Sequence, residues 1–120
     1  TIKAQSSKKI KFGKETRMNK KQITKSQLLE IIQSWGEEKI SIEKLQIWML
    51  DNFEPDEVEI GQGEDECTVE AMHIVMNEYE LAQEEKCLQA QYLLAINYIN
   101  CSEENYNQCK SDFLRHAFCD

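Results

Sequence analysis

The chain has 120 residues, of which 41% are hydrophobic and 30% charged, so it is the size of one domain with a single modest core. One proline and four glycines leave few forced breaks, and the abundant Glu, Gln, Lys, Leu and Ile favour helix over sheet. No apolar run approaches the roughly 20 residues that span a bilayer, which argues against a membrane protein. Residues 1–17 lack the apolar centre of a secretory signal, so we expect a cytoplasmic protein.

The net charge of −8 is divided unevenly along the chain. Residues 1–17 carry six basic side chains and one acidic, a net +5, whereas residues 18–120 carry eight basic and 21 acidic, a net −13. Because Met18 begins a stretch that reads like a natural start, we expect residues 1–17 to be vector-derived or a flexible basic arm. Residues 18–120 are then a single helical domain, and its charge repels nucleic acid.

A capping signal followed by an apolar stripe predicts the first helix from about Thr24 to Trp35. Thr24 or Ser26 supplies the N-cap oxygen, and Thr24 with Gln27 has the spacing of a capping box. Gly36 then provides a C-terminal stop. The apolar stripe follows the i, i+3, i+4, i+7 rule and consists of Leu28, Ile31, Ile32 and Trp35.

The second helix is expected to begin at Ser41 and to end near Asn52. Ile40 before the cap and Leu45 four positions after it are spaced as a hydrophobic staple, which fixes the direction in which the chain enters the helix. Because the link at residues 37–40 is short, the first two helices are expected to pack as an antiparallel pair.

Three further helices are predicted after residues 53–66, which hold the only proline and two of the four glycines. That segment is expected to be a loop, with a turn of extended chain at Val58–Ile60. The later helices are expected at about Thr68 to Leu81, Glu84 to Ile99, and from a cap at Ser102 onward, with Val69, Met72, Val75, Met76, Tyr79, Leu88, Tyr92, Ala95, Ile96, Ile99, Tyr106, Cys109, Phe113 and Ala117 inward. The predicted fold is therefore all-α: a compact bundle of about five short helices with an acidic loop between helices two and three.

The strongest signal in the sequence is an acidic tract. The 41 residues between Lys44 and Lys86 include 13 Asp or Glu and no Lys or Arg. Like charges this close repel each other, so the tract is either a solvated face or a negative surface that is complementary to a basic partner. Such partners are typically nucleic-acid-binding proteins, whose Lys and Arg are arranged for phosphates. The candidate partner-binding residues are the seven acids within 13 consecutive positions, Glu54, Asp56, Glu57, Glu59, Glu64, Asp65 and Glu66.

No motif in the sequence supports an enzyme, a cofactor or a metal site. A calcium loop counted from Asp56 fails, because Val58 and Ile60 occupy positions that need oxygen ligands. Glu70-x-x-His73 resembles half of a di-iron carboxylate site, but the sequence has no second Glu-x-x-His motif. We therefore expect a binding protein with no catalytic residues, no cofactor and no metal.

Five cysteines form an odd set without a Cys-x-x-Cys pair, which indicates free thiols in a reducing cytoplasm. They are Cys67, Cys87, Cys101, Cys109 and Cys119. The alternatives are a surface thiol that cross-links on purification, or one disulfide.

The order of elements resembles that of small acidic helical bacterial immunity proteins, the colicin D immunity type and those of contact-dependent inhibition systems. The resemblance runs from about Thr24 to Ile99: a helix, the link Glu-Lys-Ile-Ser at residues 38–41, a second amphipathic helix with an aromatic residue, an acidic loop and further helices. It implies an antitoxin in the bacterial cytoplasm that covers the active site of a toxin nuclease, often one that cuts transfer RNA. In such complexes acidic side chains stand in for phosphates. The positions carried over are Asp56, Glu57, Glu59, Glu64, Asp65 and Glu66, and residues 101–120 fall outside the resemblance.

Two other functions stay open at this point. The first is a helical adaptor or regulatory protein, with a homodimer as one form, which docks on a basic host protein without inhibiting an enzyme. The second is a metal-dependent enzyme. In the immunity interpretation the partner is a basic toxin nuclease, and the protein contacts neither nucleic acid nor membrane directly.

Overall fold

The computed structural model describes residues 21–53 and 58–119. Within these ranges the fold is compact and mostly helical, with five α-helices and one small two-stranded sheet, which confirms the predicted fold class. The basic arm expected at residues 1–17 and the acids Glu54, Asp56 and Glu57 lie outside the described residues. In chain order the elements are β1 (Lys21–Ile23), α1 (Lys25–Gly36), α2 (Ile42–Asn52), β2 (Val58–Ile60), α3 (Glu66–Leu81), two 3₁₀ turns (Glu84–Lys86 and Gln89–Gln91), α4 (Tyr92–Ile99) and α5 (Tyr106–His116).

Both N-caps predicted for the first two helices are present. The Gln27 backbone N–H donates to the Thr24 hydroxyl over 3.1 Å, and the Thr24 N–H donates to the Gln27 side chain over 2.8 Å, which completes the capping box of α1. At α2 the Lys44 N–H donates to the Ser41 hydroxyl over 3.1 Å. Because each cap satisfies an N–H that has no partner inside the helix, each contributes about 1 kcal/mol.

The end of α1 differs from the prediction, since Gly36 is the last helical residue and not the stop. The left-handed residue is Glu38, with φ of +65°. Its N–H donates to Trp35 O over 3.0 Å, and the Lys39 N–H donates to Ser34 O over 2.8 Å, the two hydrogen bonds of a Schellman motif. Gly36 is needed for another reason: a Cβ there would overlap the ring of Tyr92.

The prediction of the fourth helix was wrong for the first half of its length. Expected from Glu84, it is α-helical only from Tyr92, after the two 3₁₀ turns. The cause is a tertiary interaction: the backbone of residues 86–88 forms hydrogen bonds with residues 117–119 in place of helical ones. Leu88 N–H donates to Ala117 O over 3.0 Å, and Cys119 N–H donates to Lys86 O over 2.8 Å.

The starts of the third and fifth helices were also misplaced. α3 begins at Glu66 after Asp65, two residues before the start predicted at Thr68, which is buried within the helix. α5 begins at Tyr106, and Ser102 does not cap it. Instead the Ser102 N–H donates to the Asn105 side chain over 2.7 Å, which closes a turn ahead of the helix.

The extended chain expected at Val58–Ile60 is present as β2, and its pairing into a small sheet is an addition to the predicted fold. β1 pairs with β2 in parallel, with Lys21 opposite Val58 and Ile23 opposite Ile60. The Gly61 N–H donates to Ile23 O over 2.9 Å and extends the ladder by one step. Three apolar side chains of this sheet, from Ile23, Val58 and Ile60, are buried and anchor the chain just ahead of residues 61–65, which lead into α3.

The core is centred on Tyr79, whose fully buried ring contacts aromatic side chains from three other segments. Ring centroids lie 5.5 Å from Trp35, 5.8 Å from Phe113 and 5.3 Å from Phe118. Aromatic pairs of this kind contribute about 0.5–1.5 kcal/mol beyond area burial. Around this centre α4 packs against both α1 and α5, and α2 packs against α3. No helix among residues 21–53 and 58–119 is long and apolar enough to cross a membrane.

Candidate functional site

Four of the seven predicted partner-binding acids fall within the described residues. Glu59 lies in β2 and is half-buried, whereas Glu64, Asp65 and Glu66 are exposed where the chain enters α3. Two left-handed glycines, Gly61 and Gly63, with φ of +75° and +87°, turn the chain from β2 into α3. These conformations suit glycine because it has no Cβ.

An open pocket of about 450 Å³ lies between the first turn of α3 and the start of α5. It brings two of the predicted acids, Asp65 and Glu66, together with two carboxylates that were not predicted as partner-binding, Glu70 and Glu103. This acidic pocket is lined by Asp65, Glu66, Cys67, Glu70, Glu103, Tyr106 and Asn107. Glu59 and Glu64 do not line it.

The two additional carboxylates, Glu70 and Glu103, differ in whether the sequence could have predicted them. Glu70 lies four residues after Glu66, so a helix starting at Glu66 places both on one face. The sequence therefore carried a signal for Glu70, once the start of α3 is known. Glu103 is 33 positions further along the chain, and only the packing of the later helices brings it to the pocket.

Asp65 and Glu66 stand at the N-terminus of α3, where the helix dipole favours negative charge. That effect offsets part of the repulsion between neighbouring carboxylates. Among the described residues, no Lys, Arg or His forms an ion pair with Asp65, Glu66 or Glu103, so their charges are not compensated locally. The pocket is therefore a site of negative potential that is open to an incoming cation.

Lys110 shows how a basic group binds to one wall of the pocket, the wall formed by Glu70 and Tyr106. Lys110 Nζ lies 3.9 Å from a Glu70 carboxylate oxygen and 5.8 Å from the centroid of the Tyr106 ring. The second distance is within the range for a cation–π interaction. Carboxylate and aromatic ring together thus form a surface that accepts an ammonium or guanidinium group.

A hydrogen bond between tyrosines holds this wall in place. Tyr98 is buried, and its hydroxyl donates to the Tyr106 hydroxyl over 3.0 Å. Burial raises the pKa of Tyr98, and its hydrogen bond to Tyr106 raises that pKa further. Desolvation also raises the pKa of Tyr106, and the neighbouring Glu70 carboxylate adds to the rise against the opposing hydrogen bond from Tyr98. Both phenols are therefore neutral at pH 7, and the pocket's charge comes from its carboxylates.

A second acidic position, Glu37 immediately after α1, shows the opposite arrangement. The side chain of Gln33 donates to Glu37 over 2.8 Å, and Lys39 Nζ lies 3.2 Å from the same carboxylate. The hydrogen bond from Gln33 is the main reason that the pKa of Glu37 is lowered, and Lys39 lowers it further. Glu37 is thus satisfied within the chain, whereas most carboxylates of the acidic pocket are not.

Glu70 and His73, the Glu-x-x-His pair noted in the sequence, contact different neighbours. His73 packs edge-on against Phe53, with ring centroids 5.8 Å apart, while Glu70 faces Lys110. Among residues 21–53 and 58–119, no group of three or more His, Cys, Asp or Glu is arranged to hold a metal ion. What the pocket offers chemically is electrostatic recognition of a basic group.

No protein-family model matches the chain, and comparisons with curated proteins and with solved structures found no match.

Proposed function

We propose that this chain is a bacterial cytoplasmic immunity protein that binds a basic toxin and neutralises it. The toxin is a nuclease of the type that cuts transfer RNA, and the immunity protein acts by covering the toxin's active site with an acidic surface. In this role the chain itself catalyses no reaction. The observation that carries it is the acidic pocket, where four carboxylates converge and one, Glu70, has a basic partner among the described residues.

The physical reason lies in what a nuclease must present to its substrate. Its active site binds a phosphate backbone, so it carries Lys and Arg side chains directed at negative charge. A protein surface with converging carboxylates competes for those same side chains. Complementary fields of this kind speed association and fix the orientation of the complex.

The shape of the pocket fits this role. A cavity of about 450 Å³ has room for the end of one or more long basic side chains, and it is open on one side. Lys110 contacts Glu70 and the Tyr106 ring, and we expect an Arg or Lys of the partner to bind in the same way. The flat guanidinium of Arg suits this site best, because it can pair with a carboxylate and stack on a ring together.

The exposed Glu64 and the half-buried Glu59 belong to the same proposed surface. So do the other acids predicted from the sequence, Glu54, Asp56 and Glu57, which lie outside the described residues. Glu64 directly precedes the pocket residue Asp65, and Glu59 precedes it by six positions. In the proposal these acids provide long-range attraction, while the pocket provides the close contact.

The second candidate is the helical adaptor, and one feature of α2 favours it. Ile47 and Leu50, three residues apart on one helix, are 52% and 56% exposed. Apolar side chains paired on an outer helix face suit docking on a partner surface other than an active site. A homodimer formed through this face is the related possibility.

An inhibition assay tests the proposal and separates the candidates. The full chain is used to capture its partner from the native cell, and the partner's cleavage of transfer RNA is measured with and without the chain. We expect inhibition by the wild type and weaker inhibition by a pocket variant with Glu66→Gln, Glu70→Gln and Glu103→Gln, termed the pocket triple variant. A matched variant with Glu43→Gln, Glu84→Gln and Glu85→Gln, termed the control triple variant, removes the same charge from exposed acids outside the pocket and should inhibit like wild type.

Two outcomes would contradict the immunity proposal. A partner without nuclease activity, or a nuclease that keeps full activity in the complex, would support the adaptor. In that case replacing Ile47 and Leu50 by Asp should abolish capture, whereas the pocket triple variant should capture normally.

A further inference from the structure

One side of α2 is left uncovered by the rest of the described chain. The helix buries Leu45 and Met49 in the core. Ile47 lies two residues from each of them, which corresponds to about 200° of helical rotation, so it points to the opposite side. Ile47 is 52% exposed, and Leu50, close to one turn later, is 56% exposed. α2 therefore presents apolar side chains to solvent on the side away from the core.

Contacts on the two flanks of α2 set the limits of this surface. On one flank the Gln46 side chain donates to Tyr79 O over 2.9 Å and to Ala82 O over 2.7 Å, at the end of α3. On the other flank Trp48 is half-buried against the core. Between the flanks lie five exposed side chains, which we term the α2 face: Glu43, Lys44, Ile47, Leu50 and Asp51.

Two opposite charges on the α2 face lack an ion pair within the described chain. Neither Lys44 nor Asp51 forms one with residues 21–53 and 58–119. The positions three and four residues from Lys44 hold no acid, and those from Asp51 hold no base, so neither has a partner along the helix. The two are about 10 Å apart along the helix axis, too far to pair with each other. Each is thus open to pairing with a group on another molecule.

We propose that the α2 face binds a second copy of this chain. The two α2 helices lie antiparallel, related by a two-fold axis that passes between them near Ile47 and runs perpendicular to both. A second copy is the occupant because the charges on this face are complementary to themselves under that rotation. A two-fold interface requires such self-complementarity, since the same surface is used on both copies.

The complementarity follows from positions around the helix. Lys44 and Asp51 lie on the Trp48 flank of Ile47, about 60° and 40° around the helix, one before it and one after. The two-fold rotation reverses the helix direction and keeps this flank together. Lys44 of each copy therefore meets Asp51 of the other, which gives two ion pairs along one edge.

The rest of the α2 face is compatible with the same arrangement. Ile47 and Leu50 of the two copies interdigitate at the centre. Glu43, on the Gln46 flank, meets Leu50 of the second copy, where its methylene groups can cover the leucine. The two Glu43 side chains lie on opposite sides of the axis, about 12 Å apart along the helices, so they do not face each other.

The dimer is expected to be weak. Four apolar side chains and two exposed ion pairs make a small interface, of the kind found in transient complexes. The net charge of −8 on each copy also opposes association. At 0.15 M salt the Debye length of about 8 Å screens much of that repulsion and leaves the close pairs effective.

This inference does not rest on the proposed function. α2 contributes no residue to the lining of the acidic pocket, so the two surfaces are tested separately. The test of the dimer uses the chain alone, without a nuclease or any other partner.

Sedimentation equilibrium of the full reduced chain, from about 10 μM to about 1 mM, measures the dimer, since weak complexes have dissociation constants in this range. We expect wild type to show a reversible monomer–dimer equilibrium. Leu50→Asp should weaken the dimer at least about tenfold, because it places a charge at the apolar centre. Leu93→Asp is the matched control: Leu93 on α4 is 54% exposed, outside the α2 face, and this variant should dimerise like wild type. Circular dichroism checks that each variant is folded.

Charge exchange tests the antiparallel orientation. Lys44→Glu and Asp51→Lys each place like charges opposite one another at both pairs, so each alone should weaken the dimer about tenfold. The double variant with both changes should dimerise like wild type. A mixture of the two single variants should form heterodimers, because the acidic edge of one meets the basic edge of the other.

Three results would overturn the inference. The first is a wild-type chain that stays monomeric at 1 mM, which would leave the α2 face to a different occupant. The second is a dimer that Leu50→Asp and Leu93→Asp weaken equally. The third is recovery of Lys44→Glu by Glu43→Lys in place of Asp51→Lys, because a parallel pair would bring Lys44 to Glu43 of the second copy.

Discussion

The same two helices, α3 and α5, carry two regions of opposite character. Toward their C-terminal halves, Tyr79 and Phe113 pack ring against ring and are fully buried. At their N-terminal ends, Glu66, Glu70 and Tyr106 border the acidic pocket. One pair of helices thus supplies both the packed centre of the fold and a wall of the acidic pocket.

The contrast separates stability from recognition. Burial of aromatic rings removes large apolar areas from water, so the core accounts for much of the free energy of folding. The pocket carboxylates are exposed and repel one another, and Glu70 alone among them contacts a described basic side chain. They therefore contribute little to the free energy of folding. Changes in the core should therefore alter stability, and changes in the pocket should alter binding.

The largest expected effect lies in the core. Phe113→Ala removes a ring that contacts Tyr79, Tyr98 and Phe118, with centroid distances of 5.5–5.8 Å. We expect the free energy of unfolding to fall by about 3–5 kcal/mol, from lost burial and the cavity left behind. Urea denaturation followed by circular dichroism measures the change. A loss below about 1 kcal/mol would mean that this ring is not part of a packed centre.

A second effect tests the close approach of α1 and α4. In Gly36→Ala the added Cβ would overlap the Tyr92 ring, so we expect a loss of about 1–3 kcal/mol from forced repacking. The double variant Gly36→Ala with Tyr92→Ala should lose less than the sum of the two single variants, because the overlap is gone. Additive losses in this double-mutant cycle would show that the two positions do not meet.

Tyr79 provides a test of the same core by removal of a single atom. Its hydroxyl is buried and has no hydrogen-bond partner among residues 21–53 and 58–119. Burial, with Cys87 nearby, raises the pKa of this phenol. A buried unsatisfied hydroxyl costs about 1–3 kcal/mol, so Tyr79→Phe should leave stability unchanged or increase it by about 1 kcal/mol. Thermal and urea unfolding of the variant both measure this. A clear loss of stability would show that the hydroxyl has a partner.

A smaller gain is expected at the end of α1. Glu38 adopts φ of +65°, a left-handed conformation that glycine adopts without strain. Glu38→Gly should therefore raise the free energy of unfolding by about 0.5–1 kcal/mol, and Glu38→Ala should give no such gain. If Glu38→Gly and Glu38→Ala change the free energy of unfolding equally, the gain does not come from the left-handed backbone conformation at this position.

Sequence reasoning succeeded where the cause of a structure is local. The start of α1 depends on Thr24 and Gln27, three residues apart, and the start of α2 depends on Ser41. It failed where distant backbone competes with helix, as at residues 86–88, whose hydrogen bonds go to residues 117–119. The extended chain at Val58–Ile60 was expected, but its pairing with β1 was missed for the same reason, because the two strands are separated by more than thirty residues.

The candidate site shows the same division. The acidic character of Asp65 and Glu66 was readable from composition, and Glu70 follows from helical spacing. Glu103 was not readable, because it reaches the pocket only through the packing of α4 and α5. Nor could the sequence show that Glu37 accepts a hydrogen bond from Gln33 and pairs with Lys39, whereas among the described residues Glu70 alone of the pocket acids has a basic partner.

The central claim is that the acidic pocket, and not the negative charge of the chain as a whole, binds the basic partner. The most direct test is the association rate of the captured partner with wild type, the pocket triple variant and the control triple variant, measured across a salt series. Long-range attraction fades with salt, since the Debye length falls from about 10 Å at 0.1 M to about 3 Å at 1 M. We expect the pocket triple variant to associate at least about tenfold more slowly at low salt and to lose most of its salt dependence, while its stability stays within about 0.5 kcal/mol of wild type. The control triple variant should match wild type; equal slowing of both variants, or no slowing of the pocket triple variant, would contradict the claim.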